Sequence, residues 1–144
     1  MKKVRFCDLS PLYQKLVIDA CNVRENAYAP YSHYKVGAAL LSEKGNIYSG
    51  CNVETVTYSQ TTHAERVAIN NMVTHGERKI VALCCVSGEK ASPPCAECRQ
   101  VIWEFCCDNS HTEIIGVNSD KSQIEIYEIG EIYPLPFGPE ELIF

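Results

Sequence analysis

Leu12, Leu16, Ala20, Val23 and Ala27 recur at helical spacing behind Ser10-Pro11. They predict a helix with one buried stripe, opened by Ser10 as N-cap with Pro11 in its first turn and closed by Pro30. The periodicity then changes. Tyr34 to Ser42 and Ile47 to Val53 read as two strands around the turn Glu43-Lys44-Gly45-Asn46, a hairpin. Thr62 is placed to cap a second helix, with Ala64, Val67, Ala68 and Met72 facing inward and an end near His75-Gly76. Ile80 to Val86 is a continuous apolar run, as expected of a strand covered on both faces. A loop from Ser87 to Pro94 leads to a third helix that begins at Cys95 and turns Val101, Ile102 and Phe105 toward the core. Thr112 to Val117 and Gln123 to Tyr127 read as two more short strands, and the tail from Glu131 as mostly irregular. The order α-β-β-α-β-α-β-β predicts an α/β fold in which helices cover both faces of one mixed sheet, a three-layer α/β/α arrangement.

Composition narrows the function classes. A chain of 144 residues without linker, repeat or low-complexity segment reads as one domain, 1–144. A net charge of −5 and a pI near 5.3 argue against a polyanion as main partner, so no nucleic acid is expected. No apolar run is long enough to span a membrane. The basic start Met1-Lys2-Lys3 lacks the apolar region of a signal peptide, so a cytoplasmic location is expected. Nine cysteines are many, and an odd number. Cys84-Cys85 and Cys106-Cys107 look like small apolar fillers, whereas Cys95 and Cys98 read as metal ligands.

The candidate chemistry sits in Thr62-His63-Ala64-Glu65 and Pro94-Cys95-Ala96-Glu97-Cys98. One imidazole and two thiols form a three-ligand zinc set that leaves a fourth tetrahedral position open, the arrangement of a catalytic site. Both segments fall at predicted helix starts, where the helix dipole and unpaired N–H groups favour thiolate. Cys95 and Cys98, three apart on a first turn, point the same way. Glu65 has two readings. It is a proton carrier beside the metal, or the partner of Thr62 in a capping box, and the local sequence does not separate them. The joint pattern H-x-E…P-C-x-x-C is similar to that of zinc deaminases acting on cytosine or adenine.

Other motifs carry the resemblance further. Residues 29–40, Ala-Pro-Tyr-Ser-His-Tyr-Lys-Val-Gly-Ala-Ala-Leu, resemble the A-P-Y-S-x-F-x-V-G-A-A-L segment of cytidine deaminases. Gly50-Cys51-Asn52-Val53-Glu54 resembles their G-x-N-x-E, and Tyr58 stands five residues before His63 as in that family. Cys95-Ala96-Glu97-Cys98-Arg99-Gln100-Val101 is similar to their C-G-x-C-R-Q-V, and residues 135–142 to their L-x-x-F-G-P-x-x-L ending. The resemblance implies the small, homotetrameric, zinc-dependent type with a five-stranded core, acting on cytidine and 2′-deoxycytidine in pyrimidine salvage. Carried over by position, His63, Cys95 and Cys98 hold one zinc per subunit and Glu65 shuttles protons. Asn52 and Glu54 hold the ribose, Tyr34 lines the base pocket, and Phe137 stacks on the base from a neighbouring subunit. Three departures stand out. The first ligand is His63, where many short members have cysteine, although Arg66 is present as in the three-cysteine forms, where it helps balance the thiolates' charge. Pro93 replaces a serine, at a position whose backbone carbonyl contacts the exocyclic amine. Residues 55–60, between the ribose and zinc motifs, differ from the usual ones.

Overall fold

The computed structural model describes residues 1–142. In chain order it contains β1 (Lys2–Val4), α1 (Pro11–Arg24), β2 (Gly37–Ser42), β3 (Ile47–Cys51), α2 (Ala64–Thr74), β4 (Ile80–Val86), α3 (Ala96–Phe105), β5 (Glu113–Val117), β6 (Ile124–Glu128) and α4 (Ile129–Ile132), with short 3-10 turns between. One sheet runs in the order β1-β6-β5-β4-β2-β3. Only β4 and β5 pair in parallel; every other pairing is antiparallel.

Strand alternation builds the two faces. Ala39, Leu41, Ala82, Cys84, Ile115 and Val117 point toward α1, where they meet Leu16, Val17 and Ala20. Ala38, Leu40, Leu83, Cys85 and Ile114 point toward α2 and α3, where they meet Ala68, Ile69, Met72 and Ile102. Each fully buried Leu or Ile in these layers contributes about 1.5–3 kcal/mol. Gly50 on β3 allows α2 to lie against the sheet: a Cβ there would stand 2.5 Å from the Ala68 backbone nitrogen. The three-layer α/β/α fold is therefore as expected.

The sheet has six strands, not five. The additional one, β1, pairs Lys2, Lys3 and Val4 with Ile126, Glu125 and Ile124 along an edge. It carries no apolar alternation, since only Val4 of its three residues packs on the core, so the pattern of hydrophobic positions does not mark it. The first helix ends at Arg24, not at Pro30. Glu25 to Ala27 fold into tight turns instead, which leaves Ala27 outside the helix. Leu12, expected in the buried stripe, is exposed. The strand predicted from Tyr34 begins at Gly37, because the Tyr34 carbonyl and the Val36 N–H are taken by the Asn52 side chain and the Lys35 carbonyl by Arg24.

Candidate active site

The helix starts carry the metal-ligand set. His63 is the N-cap of α2 and Cys95 that of α3, both in extended backbone conformation. Their carbonyls accept the first helical bonds, from Val67 at 3.0 Å and Arg99 at 3.0 Å, which fixes both residues at the helix mouths. Cys98 follows within the first turn of α3 and is buried. The His63, Cys95 and Cys98 donor atoms all lie within 4.8 Å of one another. His63 Nδ1 stands 3.2 Å from Cys98 Sγ and 3.4 Å from Cys95 Sγ. Zn–N and Zn–S bond lengths imply ligand separations of roughly 3.5–3.8 Å in a tetrahedron, close to this spacing. Burial pushes the Cys98 thiol up, and the nearby Glu65 carboxylate and Cys95 push it further. Two thiolates at this place therefore need a cation between them. The set fits zinc.

Glu65 is the second residue of α2, only 6% exposed, and its carboxylate meets Cys98 Sγ at 3.6 Å. The capping-box alternative fails for a structural reason. Thr62 is tied by its backbone to Val53, in N–H···O bonds of 3.0 and 2.9 Å, so the helix starts one residue later than the capping pattern requires. His63 takes the N-cap place and makes no side-chain cap bond. Glu65 instead faces a cavity of about 360 Å³. The floor of that cavity is His63, Ala64, Glu65, Cys85 and Cys95. One wall is Ser32, Tyr34, Val36, Asn52, Glu54 and Thr61, and the other is Ser87, Ser92, Pro93 and Pro94.

The ribose-motif residues lie in the first wall with much of their bonding capacity committed. Asn52 Oδ1 accepts from Val36 N–H at 2.8 Å, and its amide donates to the Tyr34 carbonyl at 2.8 Å. One N–H and one lone pair remain. Glu54 accepts from the Tyr31 and Ser32 backbone N–H groups at 3.0 and 3.2 Å and from the Ser32 hydroxyl. The Ser32 hydroxyl bond above all, then the two N–H groups and the nearby His33, hold its carboxyl below the usual range. The turn that aims these donors contains His33 at φ +57°, a left-handed conformation. His33→Val is expected to cost about 1–3 kcal/mol of unfolding free energy in denaturant titrations, and His33→Gly or Asn to cost nothing. Equal stability of the Val and Gly variants would mean that the turn relaxes without strain.

Two assigned residues sit elsewhere. Phe137 is 57% exposed and absent from the cavity lining, its backbone carbonyl held by the Gln100 side chain at 2.8 Å. Arg66 pairs with Glu97 at 3.2 Å and donates to the Thr61 carbonyl at 2.9 Å, while its Nε is buried without a partner. It binds neither sulfur directly; it braces the two ligand-bearing helix starts against each other. Cys85, which the sequence alone presents as a small apolar filler, and Ser32, which it does not single out, also line the cavity. Alternation along β4 places Cys85 on the face of Leu83, toward α2 and α3, so its position was in principle readable.

Residues 11–113 match the family described as the cytidine and deoxycytidylate deaminase zinc-binding region. A cytidine deaminase of Sporosarcina psychrophila is 41% identical over 132 residues, which cover 91% of this chain and 95% of that one. One from Halalkalibacterium halodurans is 36% identical over 130 residues, 90% and 96% of the two chains. Among solved structures, cytidine deaminase from Burkholderia pseudomallei superposes with a TM-score of 0.80 at 34% identity, covering 87% of this chain and 98% of its own. The enzyme from Mycobacterium tuberculosis gives 0.73 at 31%, with 88% and 97% covered.

Proposed function

Since this chain belongs to the cytidine and deoxycytidylate deaminase family, we infer that it hydrolyses cytidine to uridine and ammonia, and 2′-deoxycytidine to deoxyuridine. The observation that carries this is the convergence of a His-Cys-Cys donor set and a buried glutamate on the floor of one cavity. Zinc held there supplies a Lewis acid that brings the pKa of water from about 15.7 to near 7. Glu65 would take one proton of the water as its oxygen attacks C4 and hand it to N3 of the base, then take the second proton from the new C4 hydroxyl and pass it to the amine, which leaves as ammonia when the C4–N bond breaks. The unpaired N–H groups at the start of α3 are available to the negative charge that develops. Asn52 and Glu54 hold the ribose hydroxyls with the capacity their backbone bonds leave free. The backbone carbonyl of Pro93, in the cavity lining, is assigned to the exocyclic amine, and proline serves there because it keeps its carbonyl. We read the 1–144 chain as a single deaminase domain.

Parallel assays of ammonia release from cytidine, 2′-deoxycytidine, CMP, adenosine and guanosine test the reading. Turnover confined to the two cytosine nucleosides is expected. Silence of the zinc-loaded protein on both would overturn it.

Phe137 belongs, in this reading, to the site of a neighbouring subunit in a homotetramer. Support comes from a tail that leaves Leu135 91% exposed and Phe137 outside its own cavity. Mixing Phe137→Ala with Glu65→Ala, both nearly inactive alone, is expected to restore activity once subunits exchange. Mixed oligomers that stay inactive would place Phe137 in a packing role only. No helix among the described residues is long and apolar enough to cross a membrane. All nine cysteines are free, which suits a cytoplasmic enzyme of pyrimidine salvage.

A further inference from the structure

We propose that Gln100 is a positioning residue for Phe137, and that it acts on the site its chain's tail serves rather than on the site of its own chain. The proposal rests on the reading that Phe137 belongs to a neighbouring subunit's site. Gln100 stands two residues past the ligand Cys98, in the part of the 95–101 motif that the chemistry above leaves unused. Its amide is committed on both sides. Oε1 accepts from the Tyr133 hydroxyl at 2.6 Å, which turns Nε2 to donate to the Phe137 carbonyl at 2.8 Å. Tyr133 is itself held, by its N–H on the Ile129 carbonyl at 2.9 Å and by its ring, edge-on to Trp103. The neighbouring Arg99 donates to the Ile132 carbonyl at 2.8 Å. Helix α3 thus grips the tail at two points, one at its root and one at Phe137.

The second grip is the one that aims Phe137. Residues 134–139 read Pro-Leu-Pro-Phe-Gly-Pro. Pro134, Pro136 and Pro139 fix φ and have no N–H, so half of this stretch lacks a backbone donor with which to tie itself down. Tyr133, Leu135 and Gly138, each before a proline, are biased toward extended backbone. The result is a stiff arm rooted at Ile132. Beyond Phe137 the N–H groups of Glu141 and Leu142 bond to Gly138 and Pro139, which closes a turn within the tail itself. Among the described residues, the bond from Gln100 to Phe137 is the one hydrogen bond that joins 134–142 to the rest of the chain. Packing against its own chain does little for the arm, since Leu135 is 91% and Phe137 57% exposed. Without the Gln100 amide the arm swings about its root. The ring then spends less time where the neighbouring site needs it, and apparent affinity falls with the fraction of arms in place. At saturation the substrate holds the ring, so the loss falls on KM.

The test measures KM and kcat of zinc-loaded Gln100→Leu with cytidine, alone and after subunit exchange with Glu65→Ala. Alone, KM is expected to rise about threefold to tenfold, the worth of one ordinary hydrogen bond, with kcat within about twofold of wild type. Tyr133→Phe frees the amide without deleting it. It is expected to raise KM in the same direction by less, and it takes the leucine variant's place in the mixtures should that one not fold. Chymotrypsin is expected to cut after Phe137 faster in both. In the mixtures every competent Glu65 lies on a Gln100→Leu chain, whereas tails come from both chains. With Glu65→Ala in excess, KM is expected to return to wild type, because those sites then receive tails held by an intact Gln100. A KM that stays high at every mixing ratio overturns the proposal and places the defect in the site of Gln100's own chain. A wild-type KM in Gln100→Leu alone also overturns it, and a lowered unfolding midpoint beside that KM marks packing only. Phe137→Ala mixed with Glu65→Ala is the control. If that pair recovers and the Gln100→Leu pair does not, only the role of Gln100 falls. If neither recovers in demonstrably mixed oligomers, the reading of Phe137 falls and that of Gln100 with it.

Discussion

Glu65→Gln is expected to keep zinc and fold while losing turnover by a factor at or above the upper end of ~10²–10⁴. The amide has the size of the carboxylate and can still accept a hydrogen bond, but it cannot take up and return a proton. General acid–base catalysis contributes that range for a single transfer, and Glu65 is assigned several in succession. Its place supports the magnitude. The carboxylate is 6% exposed at the floor of the cavity, and its one side-chain partner among the described residues is a metal-ligand thiol. No capping bond occupies it, since the helix starts at Ala64 and Thr62 is spent on Val53. The check is kcat measured beside zinc content and the unfolding midpoint. A variant with full zinc and more than about a tenth of wild-type kcat would show that the proton moves by another route.

That residue also shows where sequence reading succeeds and where it stops. Thr62-x-x-Glu65 has the spacing of a capping box, and only a long-range contact decides against it. The deciding partner, Val53, lies on the chain that leaves β3, which no local periodicity connects to residue 62. The ligand set was legible for the opposite reason. His63, Cys95 and Cys98 are placed by two helix starts, and helix starts have strong local signals. The same contrast runs through the fold. The continuous apolar run of β4 and the hairpin of β2 and β3 announce themselves, whereas β1 is held by an edge ladder without apolar pattern. Tyr34 and Asn52 fall between these cases. Their motifs pointed to a pocket, yet the bonds that join Asn52 to the backbone of 34–36 appear only once the strands are assembled.

Cys98→Ser and Cys98→Ala are expected to lose most of the bound zinc and to cut kcat/KM by on the order of 10³ or more. A metal ion acting as a Lewis acid is worth several kcal/mol of transition-state stabilisation, and each decade of rate is about 1.36 kcal/mol. Serine does not rescue, because its hydroxyl stays neutral where a thiolate ionises beside the metal. The burial that pushes the free thiol up makes Cys98 the ligand most dependent on the cation, so metal uptake should release its proton. Cys84→Ala supplies the control. Cys84 is equally buried, but it lies on the α1 face of the sheet and away from the cavity. It should keep its zinc and its rate and lose only stability, since the deleted sulfur leaves a small void among Ala39, Val17 and Ile115. Zinc stoichiometry from elemental analysis, read beside kcat/KM and denaturant midpoints, separates the two. A Cys98→Ala protein that still bound one zinc per chain would mean that the His63 and Cys95 donors recruit another group and that the three-ligand assignment is wrong.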